Sequence, residues 1–223
     1  MNDGEGKGSE KLVRIPVGKA TIEGNLVVPQ GAVGIVLFAH GSGSGRFSPR
    51  NQYVARVLNE AGIATLLVDL LTKEEEEIDM STREFRFDVG LLAQRLMSAT
   101  EWLKKNPATK NLSIGYFGAS TGAAAALIAA AKLQDSIRVV VSRGGRPDLA
   151  LEYIPRVKSP VLFIVGGRDT VVIDINREAM KHLVVENRLE IVSWASHLFE
   201  EPGKLEKVAK LAVNWFSKYL RRK

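Results

Sequence analysis

The sequence of 223 residues contains no cysteine, which excludes disulfide bonds, zinc–thiolate sites and a cysteine nucleophile. It also contains no apolar run of the roughly 18 residues needed to cross a bilayer, so no membrane partner is expected. The opening stretch MNDGEGKG lacks the apolar core of a signal peptide. We therefore expect a cytoplasmic protein with a disordered tail over residues 1–10.

Signals for other ligands are also sparse. The phosphate-binding pattern G-x-x-x-x-G-K-[ST] does not occur, and we expect neither a metal nor a cofactor. The formal net charge of +6 would suit an anionic partner. Much of that charge, however, lies within residues 204–223 at the spacing of a solvated helix face. Because no nucleic-acid-binding module accompanies it, we do not expect nucleic acid to bind.

The patterns that are present indicate an α/β fold. Continuous apolar runs at 34–39, 63–68 and 161–165 are typical of strands buried on both faces of a parallel sheet, and helical patterns alternate with them. Residues 11–17 and 20–28 are also strand-like, but the turn between them is too short for a crossover. We therefore predict a single domain over 11–223, with a mainly parallel central sheet flanked by helices and an antiparallel N-terminal edge hairpin.

One long connection separates the early strands from the next helix. Residues 71–82 include the run Glu74–Glu77, which is typical of a solvated loop or of a helix start, and we assign no chemistry to it. We predict that this stretch is irregular and that a helix follows over 83–105. At about twelve residues, the stretch is too short for a large lid.

The most informative stretch is GASTG at residues 118–122. It joins a short apolar strand to an Ala/Leu-rich helix, the context of a nucleophile elbow with Ser120 as the nucleophile. Gly118 and Gly122 remove the Cβ atoms that would clash where the strand and the helix meet. The alternative is a chance match in a Gly/Ala/Ser-rich loop.

An acid and a base follow Ser120 along the chain, in loops that come after strands. Asp169 directly follows the buried strand 161–165, and His197 follows the last strand. The order Ser, Asp, His is that of the α/β-hydrolases. Asp169 could instead simply close a turn, and Asp148 is the alternative acid.

His197 is the strongest of the three histidines as the catalytic base. His182 lies within a helical pattern without neighbours that could form a site, whereas His40 directly precedes a glycine-rich loop. In such a site the imidazole removes the serine proton, and the acid orients the imidazole.

The tetrahedral oxyanion requires two N–H donors. We assign one to Thr121, the residue after the nucleophile, and the other to Ser42 in the loop 40–45. The alternative for this loop, which contains three glycines, is a flexible linker.

Arg143 and Arg146 follow another strand and should border the same edge of the sheet. They could bind an anionic group of the substrate, since a guanidinium can donate two parallel hydrogen bonds to a carboxylate or phosphate. Alternatively they are structural and pair with Asp148 or with backbone carbonyls.

Taken together, these motifs resemble the dienelactone-hydrolase-related branch of the α/β-hydrolases, specifically its compact serine members. The resemblance covers residues 11–220 and rests on HGSGSGRFSPRN at 40–51, GYFGASTG at 115–122, SRGGRPDLA at 142–150, VGGRD at 165–169 and the His197 loop. It implies the α/β-hydrolase fold, the triad Ser120, Asp169 and His197, and an oxyanion hole formed by Ser42 and Thr121. The enzymes that name the family usually carry a cysteine nucleophile, so the serine favours a general ester hydrolase over a lactone hydrolase.

We therefore predict a serine hydrolase that cleaves short, soluble acyl esters of small molecules through an acyl-enzyme. A lactone hydrolase or an acyl transferase could use the same residues. A non-enzymatic binding module with a hydrolase fold is the alternative of another class, and its expected signature is a degraded triad.

Overall fold

The computed structural model describes residues 8–221. Most of the tail predicted over residues 1–10, residues 1–7, lies outside this range. Glu10, the last residue of the predicted tail, is bound to the sheet, since its carboxylate accepts a hydrogen bond from the side-chain amide of Asn25 in the second strand at 3.1 Å. Within residues 8–221, no helix combines the length and the apolar character needed to cross a bilayer.

An eight-stranded sheet forms the centre of the described part of the chain, in the order β1-β2-β4-β3-β5-β6-β7-β8. The strand β1 pairs antiparallel with β2, and β2 pairs antiparallel with β4, whereas every other neighbouring pair is parallel. This confirms the mainly parallel sheet with an antiparallel hairpin at one edge. The strands are β1 Lys11–Val17, β2 Ala20–Val27, β3 Ile35–Ala39, β4 Ala64–Val68, β5 Ile114–Ala119, β6 Ile137–Arg143, β7 Val161–Gly166 and β8 Asn187–Val192.

Helices cover both faces of the sheet. The α-helices are α1 Pro49–Glu60, α2 Lys73–Thr82, α3 Val89–Lys105, α4 Thr121–Leu133, α5 Thr170–Met180 and α6 Lys204–Leu220. Val36 and Phe38 of β3 belong to a core cluster shared with α1 and α6. Leu37 belongs to the core on the opposite face, which includes α3 and α4. Because successive side chains of a strand point to opposite faces, the apolar runs of the central strands supply both cores.

The prediction that residues 71–82 are irregular is wrong, because α2 occupies residues 73–82. The Thr72 hydroxyl accepts the backbone N–H of Glu75 at 3.2 Å, and the Glu75 carboxylate accepts the backbone N–H of Thr72 at 2.8 Å. This reciprocal capping box satisfies two free donors at the helix start. The following acidic residues lie in the first turn, where the helix dipole favours negative charge.

The helix predicted over 83–105 begins later, at Val89. Arg83 adopts a left-handed conformation with φ 60°, which ends α2. Asp88 then caps α3 by accepting the backbone N–H of Leu91 at 2.9 Å. The segment 83–88 is therefore a loop between two helices.

Candidate active site

Ser120 lies at a sharp turn between β5 and α4, with φ 51° and ψ −120°. A positive φ is costly for a residue with a side chain. Two close approaches explain the flanking glycines. A Cβ at Gly118 would lie 2.4 Å from the Cα of Ala123, and one at Gly122 would lie 2.2 Å from the carbonyl oxygen of Ala39. The turn therefore has the local geometry that a nucleophile elbow requires.

Hydrogen bonds to the end of β6 hold this turn in place. The backbone N–H of Ser120 donates to the carbonyl of Arg143 at 3.2 Å, and the backbone N–H of Arg146 donates to the carbonyl of Ser120, also at 3.2 Å. The surrounding structure thus compensates for the unfavourable backbone conformation.

Asp169 and His197 are in direct contact. The Nδ1 of His197 lies 2.6 Å from the Oδ2 of Asp169, and because a carboxylate is an acceptor, Nδ1–H is the donor. Their loops also meet through the backbone, since the N–H of Arg168 donates to the carbonyl of Ala195 at 3.0 Å. With the proton of the neutral ring on Nδ1, Nε2 is the nitrogen that can accept a proton from another group.

The His197 imidazole lies beside the elbow. A Cβ added at Gly144, where φ is 53°, would be 3.3 Å from the Cε1 of His197. Gly144 directly follows Arg143, whose carbonyl accepts the N–H of Ser120. The turn at Ser120 and the Asp169–His197 pair therefore both lie near the end of β6, at the carboxyl edge of the parallel strands, where ligands of open α/β sheets bind.

The loop 40–45 packs against the other side of Ser120. A Cβ at Gly41 would lie 3.1 Å from the Cβ of Ser120, and the hydroxyls of Ser42 and Thr121 are 3.0 Å apart. Thr121 is the first residue of α4, so its backbone N–H has no carbonyl one turn earlier in the helix. The structure therefore brings the two residues predicted as oxyanion donors to the same place.

His40 is buried below this loop and makes two hydrogen bonds. Its Nδ1 lies 2.9 Å from the carbonyl of Gly41, and its Nε2 lies 2.9 Å from the backbone nitrogen of Leu70. Since Nε2 must accept from this N–H, Nδ1 carries the proton of a neutral ring. Burial lowers the pKa of His40, although the bond to Gly41 and the charge of Asp69 oppose that shift. His40 thus connects the loop to the end of β4.

Arg46 anchors the far end of the same loop. Its backbone N–H donates to the Asp69 carboxylate at 2.7 Å, and its guanidinium forms ion pairs with Asp69 and, at 2.7 Å, with Glu23. Arg46 is only 9% exposed, and charge-assisted bonds of this kind are among the stronger polar contacts in proteins. The loop is therefore held at both ends.

A cavity of about 840 Å³ is lined by the oxyanion loop, including Ser42, but not by Ser120, Asp169 or His197. Residues 40–50 line it together with α2 and Arg86 of the loop that follows α2. The apolar side chains that line it include Phe47, Leu71, Met80 and Leu92. Charged side chains, among them Arg46, Asp69 and Arg86, also line it, so the cavity combines apolar and ionic surface.

No group of three or more His, Cys, Asp or Glu side chains within residues 8–221 is arranged to hold a metal ion.

Comparison with known proteins identifies the family to which the chain belongs. The sequence model of the dienelactone hydrolase family matches residues 22–220. The chain belongs to the dienelactone hydrolase family. It therefore belongs to a family of hydrolases with the α/β-hydrolase fold.

Two similar curated proteins come from strains of Mycobacterium tuberculosis and carry the provisional name phosphoribosyl transferase. Each is 54% identical over 211 residues, covering 95% of this chain and 47% of the relative. This dienelactone hydrolase family member thus spans about half the length of the curated relatives that it matches.

Among solved structures, a dienelactone hydrolase from Anabaena variabilis is 59% identical, with a TM-score of 0.95 over 98% of this chain and 100% of that one. An esterase from Pyrococcus furiosus shares only 19% identity, yet the TM-score is 0.75 over 96% of this chain and 94% of that one. The second likeness concerns the fold alone.

In this family member the two arginines of the 142–150 motif have different surroundings. The Arg146 guanidinium binds the Asp148 carboxylate through Nε at 2.9 Å and Nη2 at 2.7 Å. Asp148, the alternative acid, thus pairs with Arg146, while Asp169 contacts His197. Arg143 is buried instead, and its Nη2 donates to Asn51 at 3.2 Å.

Sequence reasoning missed several residues that shape the site. Asp79 at the end of α2 accepts the backbone N–H groups of Phe85 and Arg86, each at 2.9 Å, and forms an ion pair with the Arg86 guanidinium. The carbonyl of Arg86 in turn accepts the hydroxyl of Ser42 at 3.3 Å. No short motif joins residues this far apart in the chain. The available signal for α2 was the acidic run Glu74–Glu77, which lies in the stretch predicted to be irregular.

Proposed function

We propose that this chain is a carboxylic ester hydrolase that cleaves short acyl esters through an acyl-enzyme on Ser120. The observation that carries the proposal is the 2.6 Å contact between His197 and Asp169, located beside a serine with φ 51°. A partly buried acid that orients an imidazole near a strained serine is an arrangement suited to nucleophilic acyl transfer.

The first step is attack of the Ser120 hydroxyl on the ester carbonyl. His197 accepts the serine proton at Nε2, and Asp169 keeps Nδ1 protonated and stabilises the resulting imidazolium. The backbone N–H groups of Thr121 and Ser42 bind the oxyanion. His197 then donates its proton to the leaving alcohol, and the ester C–O bond breaks. Water attacks the acyl-enzyme with His197 as base, which releases the acid and restores Ser120.

The substrate class follows from the cavity beside the oxyanion loop. Its lining includes the exposed side chains of Phe47 and Met80, which suit an apolar group of the ester. Among the described elements, α1, α2 and α3 contribute residues to the lining, and the connection from β4 to α3 contains only the ten-residue α2. A short ester can therefore enter without displacement of a large lid, which favours small, soluble substrates.

The name of the Mycobacterium tuberculosis relatives does not change this proposal. The shared region is 47% of their length and coincides with the match to the hydrolase family. We assign the hydrolase activity to this shared region, and a phosphoribosyl transferase activity would reside in the remaining half of those proteins. A lactone hydrolase or an acyl transferase remains an alternative on the same residues, since each begins with the same acyl-enzyme.

The experiment combines a fluorophosphonate probe with a series of p-nitrophenyl esters of increasing chain length. We expect the probe to label Ser120 and the shortest esters to be hydrolysed fastest. Ser120→Ala should abolish labelling and turnover, whereas Ser193→Ala, which changes an exposed serine in the His197 loop, should retain both. Labelling that persists in Ser120→Ala would exclude Ser120 as the nucleophile, and no labelling of the wild type would favour the binding module. Faster release with an added alcohol than with water would identify an acyl transferase.

A further inference from the structure

Arg143 carries a buried charge that the proposed chemistry does not use. Its side chain is on the sheet face covered by α1, and the residue is only 6% exposed. The Nη2 group donates to the Asn51 side chain, while the Nε group has no hydrogen-bond partner. Among residues 8–221, no carboxylate lies within ion-pair distance of this guanidinium. A buried charge without a counter-charge is strongly unfavourable.

Comparison with the other buried arginines makes Arg143 unusual. Arg46 pairs with Asp69 and Glu23, and Arg95 pairs with Glu75 at 2.5 Å. Both are thus neutralised by an acid, as buried charges in proteins usually are. Arg143 is buried to the same degree but has only a neutral amide as its partner.

A second guanidinium lies close to the first. Burial and, to a smaller extent, the charge of Arg50 lower the pKa of Arg143 to about 10, so Arg143 remains charged at neutral pH. The Nε of Arg50 is also buried without a partner. Its ion pair with Glu200 is long, at 3.6 Å, and the Glu200 side chain is 64% exposed, so this pair offsets little of the charge.

The helix α1 adds a third positive element. Arg50 and Asn51 lie in its first turn, after Ser48 as the N-cap, where the helix dipole contributes partial positive charge. Asn51 is 2% exposed and orients Arg143 toward this turn. Arg143 and Arg50 therefore lie together at a helix N-terminus, and among residues 8–221 the exposed Glu200 is the only acid paired with either of them.

We propose that Arg50 and Arg143, held by Asn51 at the first turn of α1, form a binding site for an oxyanion, a carboxylate or a phosphate group. The site adjoins the reaction centre, since the carbonyl of Arg143 accepts the N–H of Ser120 and Arg50 lines the cavity beside the oxyanion loop. The planar donor groups of arginine suit both kinds of oxyanion. The bound group belongs either to the substrate or to a free anion, and the chemistry of recognition is the same.

The first test is thermal unfolding with inorganic phosphate replacing chloride at constant ionic strength. Binding to the folded state should raise the wild-type Tm by about 3–6 °C at ten times the dissociation constant. Arg50→Gln and Arg143→Lys should each lose most of this rise. Arg50→Gln alters a half-exposed residue and so tests the site even if Arg143 variants fold poorly. Arg138→Gln, which removes an exposed charge from the same strand as Arg143, should retain the rise. No phosphate effect in the wild type, or an equal effect in every variant, would overturn the proposal.

The second test identifies the source of the oxyanion and presupposes the proposed esterase activity. It compares p-nitrophenyl butyrate, a neutral ester, with mono-p-nitrophenyl succinate, which carries a carboxylate. If the substrate supplies the oxyanion, Arg50→Gln should lower kcat/KM about 10- to 100-fold on the succinate ester alone, and phosphate should compete with that ester only. If a free anion occupies the site, phosphate should raise the Tm without competing with either ester.

The two proposals fail in different ways. Turnover of both esters by the wild type and Arg50→Gln, together with no effect of phosphate on Tm, would refute the oxyanion site and leave the esterase intact. If the probe does not label Ser120 but phosphate still raises the Tm, the esterase proposal is refuted and the oxyanion site is retained.

Discussion

The backbone conformation of Ser120 is unfavourable by itself, and contacts with the surrounding structure stabilise it. The serine has φ 51°. One backbone hydrogen bond links it to Arg143 of β6 and another to Arg146 in the loop after β6, and Ala39 of β3 approaches Gly122 closely. Strain of this kind is found mainly at functional positions. The chemistry of Ser120 remains a proposal, but its conformation has a complete physical explanation.

The two candidate acids near the elbow should differ sharply in their effect on turnover. Asp169→Asn should lower kcat by about four orders of magnitude, because an amide cannot hold the imidazole in the required tautomer. Asp148→Asn removes the partner of Arg146, a half-exposed ion pair, and should change stability by only about 0–1 kcal/mol. Steady-state kinetics with p-nitrophenyl acetate and urea unfolding would measure the two effects. A greater loss of kcat in Asp148→Asn would mean that the acid had been assigned to the wrong strand.

His40 should make the stability of the protein depend on pH. Because its pKa is lower in the folded protein than in the unfolded chain, the unfolded state binds more protons as the pH falls. Stability should therefore be complete above the unfolded pKa and decrease below about pH 6.5, with a slope of at most about 1.4 kcal/mol per pH unit.

The control for this effect is a second histidine. Urea unfolding between about pH 5.5 and 7.5 should show a shallower dependence in His40→Asn, which should also be less stable at neutral pH. His182→Asn, which changes an exposed histidine, should retain the wild-type slope. Equal slopes in the wild type and His40→Asn would contradict the prediction.

The helix α2 follows β4 and links the carboxyl end of this strand to the oxyanion loop. It begins with the capping box of Thr72 and Glu75, and Asp79 in its last turn binds the loop 83–88. That loop contacts Ser42 through the carbonyl of Arg86. The helix thus forms a wall of the cavity and also supports one of the proposed oxyanion donors.

Removal of the Asp79 carboxylate should loosen this wall. Asp79→Asn breaks the ion pair with Arg86 and weakens the acceptors for two backbone N–H groups, so amides in the loop 83–88 should exchange faster in hydrogen–deuterium exchange. kcat/KM on short esters should fall with it, since Ser42 loses support. Glu77→Gln, which changes an exposed acid in the same helix, is the control and should leave exchange unchanged. Unchanged exchange in Asp79→Asn would show that the loop does not depend on this carboxylate.

The sheet couples two cores, because its central strands contribute side chains to both faces. Leu37 and Phe38 are adjacent in β3, yet they belong to the clusters on opposite faces, and each is at most 1% exposed. We therefore expect the predicted domain to unfold as one unit.

Truncation on either face should test this. Leu37→Ala should cost about 2–5 kcal/mol and Phe38→Ala about 3–5 kcal/mol of unfolding free energy. In each variant, tryptophan fluorescence and far-UV circular dichroism should give coincident urea transitions with the wild-type m-value. Val184→Ala, at an 84% exposed position, should change stability by less than about 0.5 kcal/mol. Two separate transitions would mean that the faces unfold independently.

Local chain chemistry was enough to predict the fold class and to locate the elbow. The apolar runs are typical of strands buried on both faces, and the two-residue turn between the first strands permitted only an antiparallel pair. Likewise, Gly118, Ser120 and Gly122 are neighbours in the chain, so the steric reason for the motif is contained within it. The meeting of Asp169 with His197 could be anticipated from the rule that parallel strands end at a common edge.

The tertiary structure decided which charges have partners. Arg146 pairs with an acid two residues away, whereas Arg143, in the same motif, lies buried against a helix whose first turn begins some ninety residues earlier in the chain. The run of glutamates became the start of a helix because Glu75 both closes a capping box and pairs with Arg95. Spacing along a chain cannot reveal such contacts, because the energy of a charge depends on its burial and on the groups that folding brings beside it.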